Sequence, residues 1–275
     1  MYVVVGDPVD QVRAPRLLNA EFSRRGVDAV LVPLHVPAAR FLEVAGALRM
    51  APNVDGMLVT VPHKLAVCRL ADEVSAAVAL TGSANILRRG ADGRWQADNF
   101  DGAGFVDGLA AAGHSVRGRR LLLVGCGGAG VAMAVALLES GVDHLFVRER
   151  DESRLEAVLS RLAAHWPARI TAHRSAALPD VDFAVNATPL GLRPDDPLPF
   201  EPAALPAHTV VADIVMKPLR TPLLATAEAL GHPVHHGAHM LDRQIARYLD
   251  FFLDRPDSTT GTRSDEPEEL DERFR

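Results

Sequence analysis

The chain is poor in cysteine: its 275 residues carry two, Cys68 and Cys126. Two thiols cannot build the disulfide framework that staples small secreted domains, so a reducing compartment, the cytoplasm, is expected. Long apolar runs are also missing. No stretch approaches the roughly 20 residues that a membrane-spanning helix needs, and the chain opens on an apolar strand pattern with no basic leader ahead of it. Excess positive charge is lacking as well. A net charge of -6 leaves no electrostatic footprint for nucleic acid or an anionic membrane surface. The arginine pairs Arg24-Arg25 and Arg88-Arg89 are too short to alter that and read as solvated faces. No repeat of solenoid length recurs.

What is present suits a globular chain long enough for two domains, with 48% hydrophobic and 23% charged residues. Tyr2-Val3-Val4-Val5 reads as a strand ended by Gly6 and Pro8, and Leu17, Leu18 and Phe22 as a helical stripe stopped by Gly26. A second strand is expected over Ala29 to Val36, a helix over Pro37 to Met50 and a third strand over Gly56 to Val61. This βαβαβ order implies parallel strands with crossover helices. Residues Ala84 to Asn99 read as a hairpin turning at Gly90-Ala91-Asp92-Gly93.

The pattern restarts at Arg119. A strand over Leu121 to Val124 meets a glycine cluster and an apolar helix to Ser140, and another strand covers His144 to Val147. Strands are expected at Phe183 to Asn186 and Val210 to Val215, and helices over Thr221 to Leu230 and Ala238 to Leu253. Past Arg255 the composition turns to Asp, Glu, Ser, Thr, Pro and Arg, too polar to bury a core. The expectation is a two-domain α/β protein: residues 1–101, rejoined by a helix over 238–254, then 102–237, then a loose tail over 255–275.

Gly125-Cys126-Gly127-Gly128-Ala129-Gly130 fits G-x-G-x-x-G in the context the motif requires, after a strand and opening a helix. Gly125 permits the turn, Gly127 lets a pyrophosphate approach the backbone, and Gly130 lets helix pack on strand. The N–H groups of Gly128 and Ala129 then open the helix at its positive end. Residues 102–237 are thus expected to be a Rossmann domain binding NAD or NADP. Where the next strand ends, Glu149 and Asp151 suit a free ribose and lean the choice to NAD, whereas Arg148, Arg150 and Arg154 suit a 2′-phosphate. A helix-start cluster of ion pairs accounts for the same charges in a third way.

With the dinucleotide domain placed second, the remaining motifs become legible. They are Gly6-Asp7-Pro8-Val9 with Pro15 and Asn19; Val59-Thr60-Val61-Pro62-His63-Lys64; Gly82-Ser83-Ala84-Asn85; Asp98-Asn99-Phe100-Asp101-Gly102; Asn186-Ala187-Thr188-Pro189-Leu190-Gly191; Asp213 with Pro218 and Thr221-Pro222-Leu223; and Gly237 with Met240-Leu241 and Gln244. In this order and spacing the chain resembles the shikimate/quinate dehydrogenase family from Gly6 to about Gln244. The resemblance implies an N-terminal α/β substrate-binding domain, a C-terminal NAD(P)-binding domain and an active site between them, where a ring hydroxyl is oxidised reversibly. It puts the family's lysine and aspartate on Lys64 and Asp101. It puts polar substrate contacts on Thr60, Asn85 and Gln244, and cofactor contacts on Asn186, Thr188, Gly237 and Met240.

Hydride transfer from a secondary alcohol leaves a proton to be taken from the hydroxyl. An amine and a carboxylate facing that hydroxyl can pass it on. Alternatively Lys64 stays charged and steadies the developing alkoxide while water carries the proton. The expected partner is a small cyclic hydroxy compound, with the protein a monomer or homodimer.

The chain departs from the resemblance at the end of the pocket that holds a carboxylate in the family. Two serines are replaced by Val12 and Ala14 and a tyrosine by Met216; an asparagine appears as Leu58 and a threonine as Phe100. A carboxylate there would be desolvated without its hydrogen bonds. Either Gln11, Arg13 or Lys217 swings in to replace them and shikimate or quinate is still used, or the substrate is a related cyclic polyol without a carboxylate. From another functional class, a catalytically silent cofactor-binding sensor would also explain an altered pocket, though Lys64 and Asp101 oppose it. The histidines His235, His236 and His239 raise a zinc site as a further alternative; no metal is expected, because that segment already matches the family.

Overall fold

Three consecutive valines, Val3 to Val5, place β-branched side chains on both faces of β1 (Tyr2–Gly6), and all five residues of the strand are buried. In the computed structural model, which describes residues 1–253, β1 pairs in parallel with β2 (Leu31–His35) and with β3 (Gly56–Val59). Between them run α1 (Ala14–Arg24) and α2 (Phe41–Met50). Leu18 and Phe22 are the buried rungs of α1, each contributing about 2–3 kcal/mol of burial. Gly26, past the end of that helix, takes φ +65°, a conformation other residues adopt at a cost. The hairpin forms as expected: β5 (Ile86–Arg89) and β6 (Trp95–Asp98) pair antiparallel, and the Gly90 N–H returns to the Arg94 carbonyl.

Two small elements were not anticipated, β4 (Glu73–Val74) and α3 (Ala76–Thr81). The strand β4 completes a six-stranded mixed sheet of order β2-β1-β3-β5-β6-β4. The solvated reading of Arg88-Arg89 is also corrected. The Arg89 guanidinium donates to the carbonyls of Arg49, Ala51 and Val54, and that of Arg88 donates to Phe251 O.

The second half builds a parallel sheet from β7 (Arg120–Val124), β8 (His144–Arg148), β9 (Ile170–Ala172), β10 (Phe183–Asn186), β11 (Val210–Asp213) and β12 (Val234–His236). Their order is β12-β11-β10-β7-β8-β9. The chain moves outward from β7 to β9, then returns to β10 and moves the other way. The reversal opens a crevice at the carboxyl ends of β7 and β10, where ligands bind in doubly wound sheets. The crossover helices include α5 (Gly128–Glu139), α6 (Glu152–Ala163) and α7 (Pro222–Ala229).

Two helices join the halves: α4 (Asp101–Ala111) leads out of the first and α8 (Ala238–Leu253) returns to it. Leu241, Tyr248, Leu249 and Phe252 of α8 share an apolar cluster with Tyr2, Val4, Leu18 and Phe22. Close packing of α4 on α8 needs Gly104, where a Cβ would lie 2.6 Å from Gln244 Cγ. The segment 255–275, expected to be a loose tail, lies outside the described residues. Among the described residues no helix is long and apolar enough to cross a membrane.

Candidate active site

Lys64 reaches the site because β3 ends at Val59 and the chain turns back, with the His63 N–H bonded to the Thr60 carbonyl. His63 anchors that turn: its Nε2 donates to Val36 O at 2.8 Å and its ring stacks on Phe41. Burial lowers its pKa, so the ring stays neutral. Held in this way, Lys64 donates from Nζ to Asp101 Oδ2 at 2.5 Å.

Asp101 opens α4, where the helix dipole favours a carboxylate, and its side chain is 2% exposed. Its own N–H donates to Asn99 Oδ1, while its Oδ1 accepts from Asn85 Nδ2 at 2.9 Å and Gln244 Nε2 at 3.2 Å. The two amides are joined behind it by Tyr248. That hydroxyl accepts from Asn85 Nδ2 at 3.0 Å and donates to Gln244 Oε1 at 2.5 Å. The result is a closed ring of four buried side chains. Burial, reinforced by the Asp101 charge, raises the Tyr248 pKa well above that of a free phenol, so the hydroxyl remains a donor. Tyr248 was not among the expected site residues. A polar-tipped residue four positions after Gln244, on the same helix face, is the signal that could have found it.

Thr60 lies at the turn before Lys64, close enough to Gly6 that a Cβ there would meet its methyl at 2.3 Å. Val12, Ala14, Leu58, Phe100 and Met216 all belong to the apolar cluster that includes Leu241 and Tyr248. The structure thus gathers the five positions that depart from the family. Of the polar replacements proposed for them, two have local partners and, among the described residues, Lys217 does not. Arg13 lies 3.8 Å from Asp242, Gln11 donates to Pro8 O, and Lys217 is exposed on the wall of a cleft of about 960 Å³ between the two halves.

The glycine loop fits a dinucleotide. Gly125 takes φ +103°, and a Cβ on Gly130 would lie 2.0 Å from Gly125 O, so both positions demand glycine. Gly127 faces open space, leaving room for a diphosphate, and Gly128 and Ala129 begin the twelve-residue α5. On the other side of the loop, a Cβ on Gly128 would lie 2.4 Å from Lys64 Cβ. Asn186, wholly buried, holds Thr188 and Leu190 in the loop after β10 and donates to Asp213 Oδ1. Desolvation raises Asp213 to about 6. Gly237 packs against the Ile214 carbonyl, and Met240 is buried in the core of the second half.

The charges after β8 differ from the expected ribose contacts. Glu149 is 7% exposed, and its carboxylate accepts the N–H groups of Cys126, Arg150 and Asp151, with Arg154 at 3.5 Å. Asp151 caps α6 by accepting from Arg154 N. Local hydrogen bonds have claimed both carboxylates, and Arg150 is left exposed. The rings of His235 and His239 lie tilted at 4.9 Å, and among the described residues no group of three His, Cys, Asp or Glu is placed to hold a metal.

Residues 4–87 match the family model described as the shikimate dehydrogenase substrate binding domain. A relative from Dinoroseobacter shibae, named shikimate dehydrogenase (NADP(+)), is 36% identical over 264 residues and 95% of each chain. Among solved structures, the ligand-free 5-ketofructose reductase of Gluconobacter sp. strain CHM43 is 28% identical, with TM-score 0.78 over 92% of each chain. The shikimate 5-dehydrogenase of Thermus thermophilus, in complex with NADP(H) and shikimate, is 27% identical, with TM-score 0.80 over 91% of this chain and 92% of that one. The expectation of a nicotinamide dinucleotide stands, but these names favour NADP, and the lean to NAD is withdrawn with the two carboxylates that suggested it. In fold, motif order and sequence over almost its whole length, this chain belongs to the shikimate dehydrogenase family.

Proposed function

We propose that this chain is an NADP(H)-dependent dehydrogenase that interconverts a ring hydroxyl and its ketone on shikimate, quinate or a related cyclic polyol. The observation that carries this reading is the Lys64–Asp101 pair at 2.5 Å, beside the loop that would carry the cofactor. When bound, the nicotinamide accepts or supplies the hydride. The residues supply everything else. Lys64 has three N–H donors and spends one on Asp101, so the others are free for the reacting oxygen. In oxidation, Lys64 passes one of its protons to Asp101 Oδ2 as it takes the hydroxyl proton, leaving a neutral carboxylic acid; in reduction the transfer runs back to the ketone oxygen. Asn85 and Gln244 hold Asp101 in place, their amide hydrogens spent on Asp101, Tyr248 and the Phe100 carbonyl, and Thr60 before them would read a ring hydroxyl.

On this reading residues 1–101 with the α8 return form the substrate-binding unit and 102–237 the cofactor-binding unit. The backbone of Gly125, Gly127, Gly128, Ala129 and Gly130 would cradle the diphosphate. Arg150 and Arg154 would take the 2′-phosphate by charge-assisted bonds. Asn186, Thr188, Gly237 and Met240 would shape the nicotinamide end. The neighbour named 5-ketofructose reductase acts, by its name, on a sugar without a carboxylate, which favours the polyol side of the substrate range. The test is steady-state nicotinamide absorbance with NADP and NAD across ring polyols and ketones. Tight NADPH binding without turnover of any of them would instead support a sensor.

A further inference from the structure

What the rest of the ring carries follows from the charge around the reacting pair, given the oxidoreductase reading above. Lys64 and Asp101 cancel one another at 2.5 Å. Asn85, Gln244 and Tyr248, bonded around Asp101, add dipoles and no net charge. Flanking them, Val12, Ala14, Leu58, Phe100 and Met216 form part of one apolar cluster, with the Phe100 ring tilted against Tyr248. Gln11 has a buried side-chain oxygen with no donor, an acceptor that would repel an incoming carboxylate.

The cleft between the two halves carries no excess of either charge. Asp7, Asp10 and Asp196 line it together with Arg193, Lys217 and Arg220. Signs balance there, and Arg220 is already bonded to Glu228. Arg13, next to the apolar wall, is held near Asp242. An anionic group brought against Val12, Ala14, Leu58, Phe100 and Met216 would shed its hydration among side chains that offer neither a cation nor a hydroxyl donor. A neutral ring loses nothing comparable: its hydroxyls would meet the remaining donors of Lys64 and its carbon skeleton the wall.

We propose that the substrate is a neutral polyhydroxylated ring or its ketone, and that Val12, Ala14, Leu58, Phe100 and Met216 are the specificity-determining wall that turns away a ring carboxylate. The experiment measures kcat/KM of the full chain with NADP(H) for shikimate and quinate against cyclic polyols and ketones of the same hydroxyl pattern lacking the carboxylate. Neutral rings are expected to be preferred by about 10²-fold or more. Adding donors in a Val12→Ser, Ala14→Ser, Met216→Tyr variant should shift that ratio toward shikimate by about tenfold or more. Equal or better turnover of the carboxylates by the unaltered protein overturns the proposal, whether or not the variant folds. Failure of the underlying reading looks different: no ring is turned over, charged or neutral, and Lys64→Ala matches the unaltered protein. That outcome removes the oxidoreductase and this proposal together.

Discussion

Ser83 Oγ donates to the carbonyl of Gly128 at 2.8 Å, tying the segment that precedes Asn85 to the first residue of the cofactor-loop helix. Asn99 Nδ2 donates to the same hydroxyl at 3.1 Å, so one wholly buried serine connects the glycine loop with the turn that positions Asp101. The Lys64–Asp101 pair and the dinucleotide loop are therefore held in register by direct contact between the two halves.

That contact leaves no space at Gly128. Gly128→Ala should push its methyl into Lys64 Cβ, 2.4 Å away, and part the two halves. The expected result is a fall in kcat/KM of about 10²-fold, the scale of a small misplacement at a reacting centre. Gly127→Ala meets nothing within 4 Å. It should leave stability unchanged while weakening NADPH binding, measured by cofactor fluorescence titration.

Lys64→Ala and Asp101→Asn should each lower kcat/KM by about 10²–10⁴-fold, the usual worth of a positioned proton-transfer group. NADPH affinity should hold for both. A Lys64→Ala protein retaining more than a tenth of the turnover would exclude the amine from the chemistry.

Tyr248→Phe keeps the packing and removes the hydroxyl that joins Asn85 to Gln244. Gln244 Oε1 then lies buried without its donor, at a cost of about 1–3 kcal/mol in urea unfolding. Because the amides also steady Asp101, the pH profile of kcat should move with the substitution; a purely structural tyrosine would change stability alone.

His235 predicts an acid-sensitive fold. Desolvation, with His239, His114 and His236 nearby, lowers its pKa from 6.5 to about 4, and its Nε2 is buried without a partner. The unfolded chain therefore takes up the proton first as pH falls. The stability His235 provides is complete above about pH 6.5 and drains away as the pH drops towards 4, by about 2 kcal/mol between pH 7 and 5. His235→Phe should remove that slope, read as the urea midpoint at the two pH values. An unaltered slope would show that the imidazole titrates normally.

Arg150→Ala with Arg154→Ala should raise KM for NADP by about tenfold and leave KM for NAD nearly constant, since the 2′-phosphate is the only group that distinguishes the two. Equal effects on both cofactors would place the phosphate elsewhere.

The primary structure by itself determined everything that local pattern can encode. The glycine loop after an apolar strand, the hairpin around Gly90–Gly93 and the strand before Lys64 are short-range arrangements, legible from turn residues and from periods of two or 3.6. The order of the motifs did the same for the family. Helix α6 was not read, although Leu155, Val158 and Leu162 follow the Asp151 cap at helical spacing; only its opening charges stood out, as cofactor ligands or a helix-start cluster of ion pairs. Strands β9 and β12 were not legible, because Ile170–Ala172 and Val234–His236 are three residues long and owe their conformation to parallel neighbours.

Only the tertiary structure decided what the side chains do with their hydrogen bonds. Glu149 turned inward onto backbone N–H groups, and Asp151 stayed at the surface as the cap of α6. Tyr248 entered the site because α8 docks back onto the first half across the glycine face of α4. Val12 and Met216, 204 positions apart, pack against one apolar cluster for the same reason. Burial and partner choice depend on contacts far apart in the chain, and no local pattern records them.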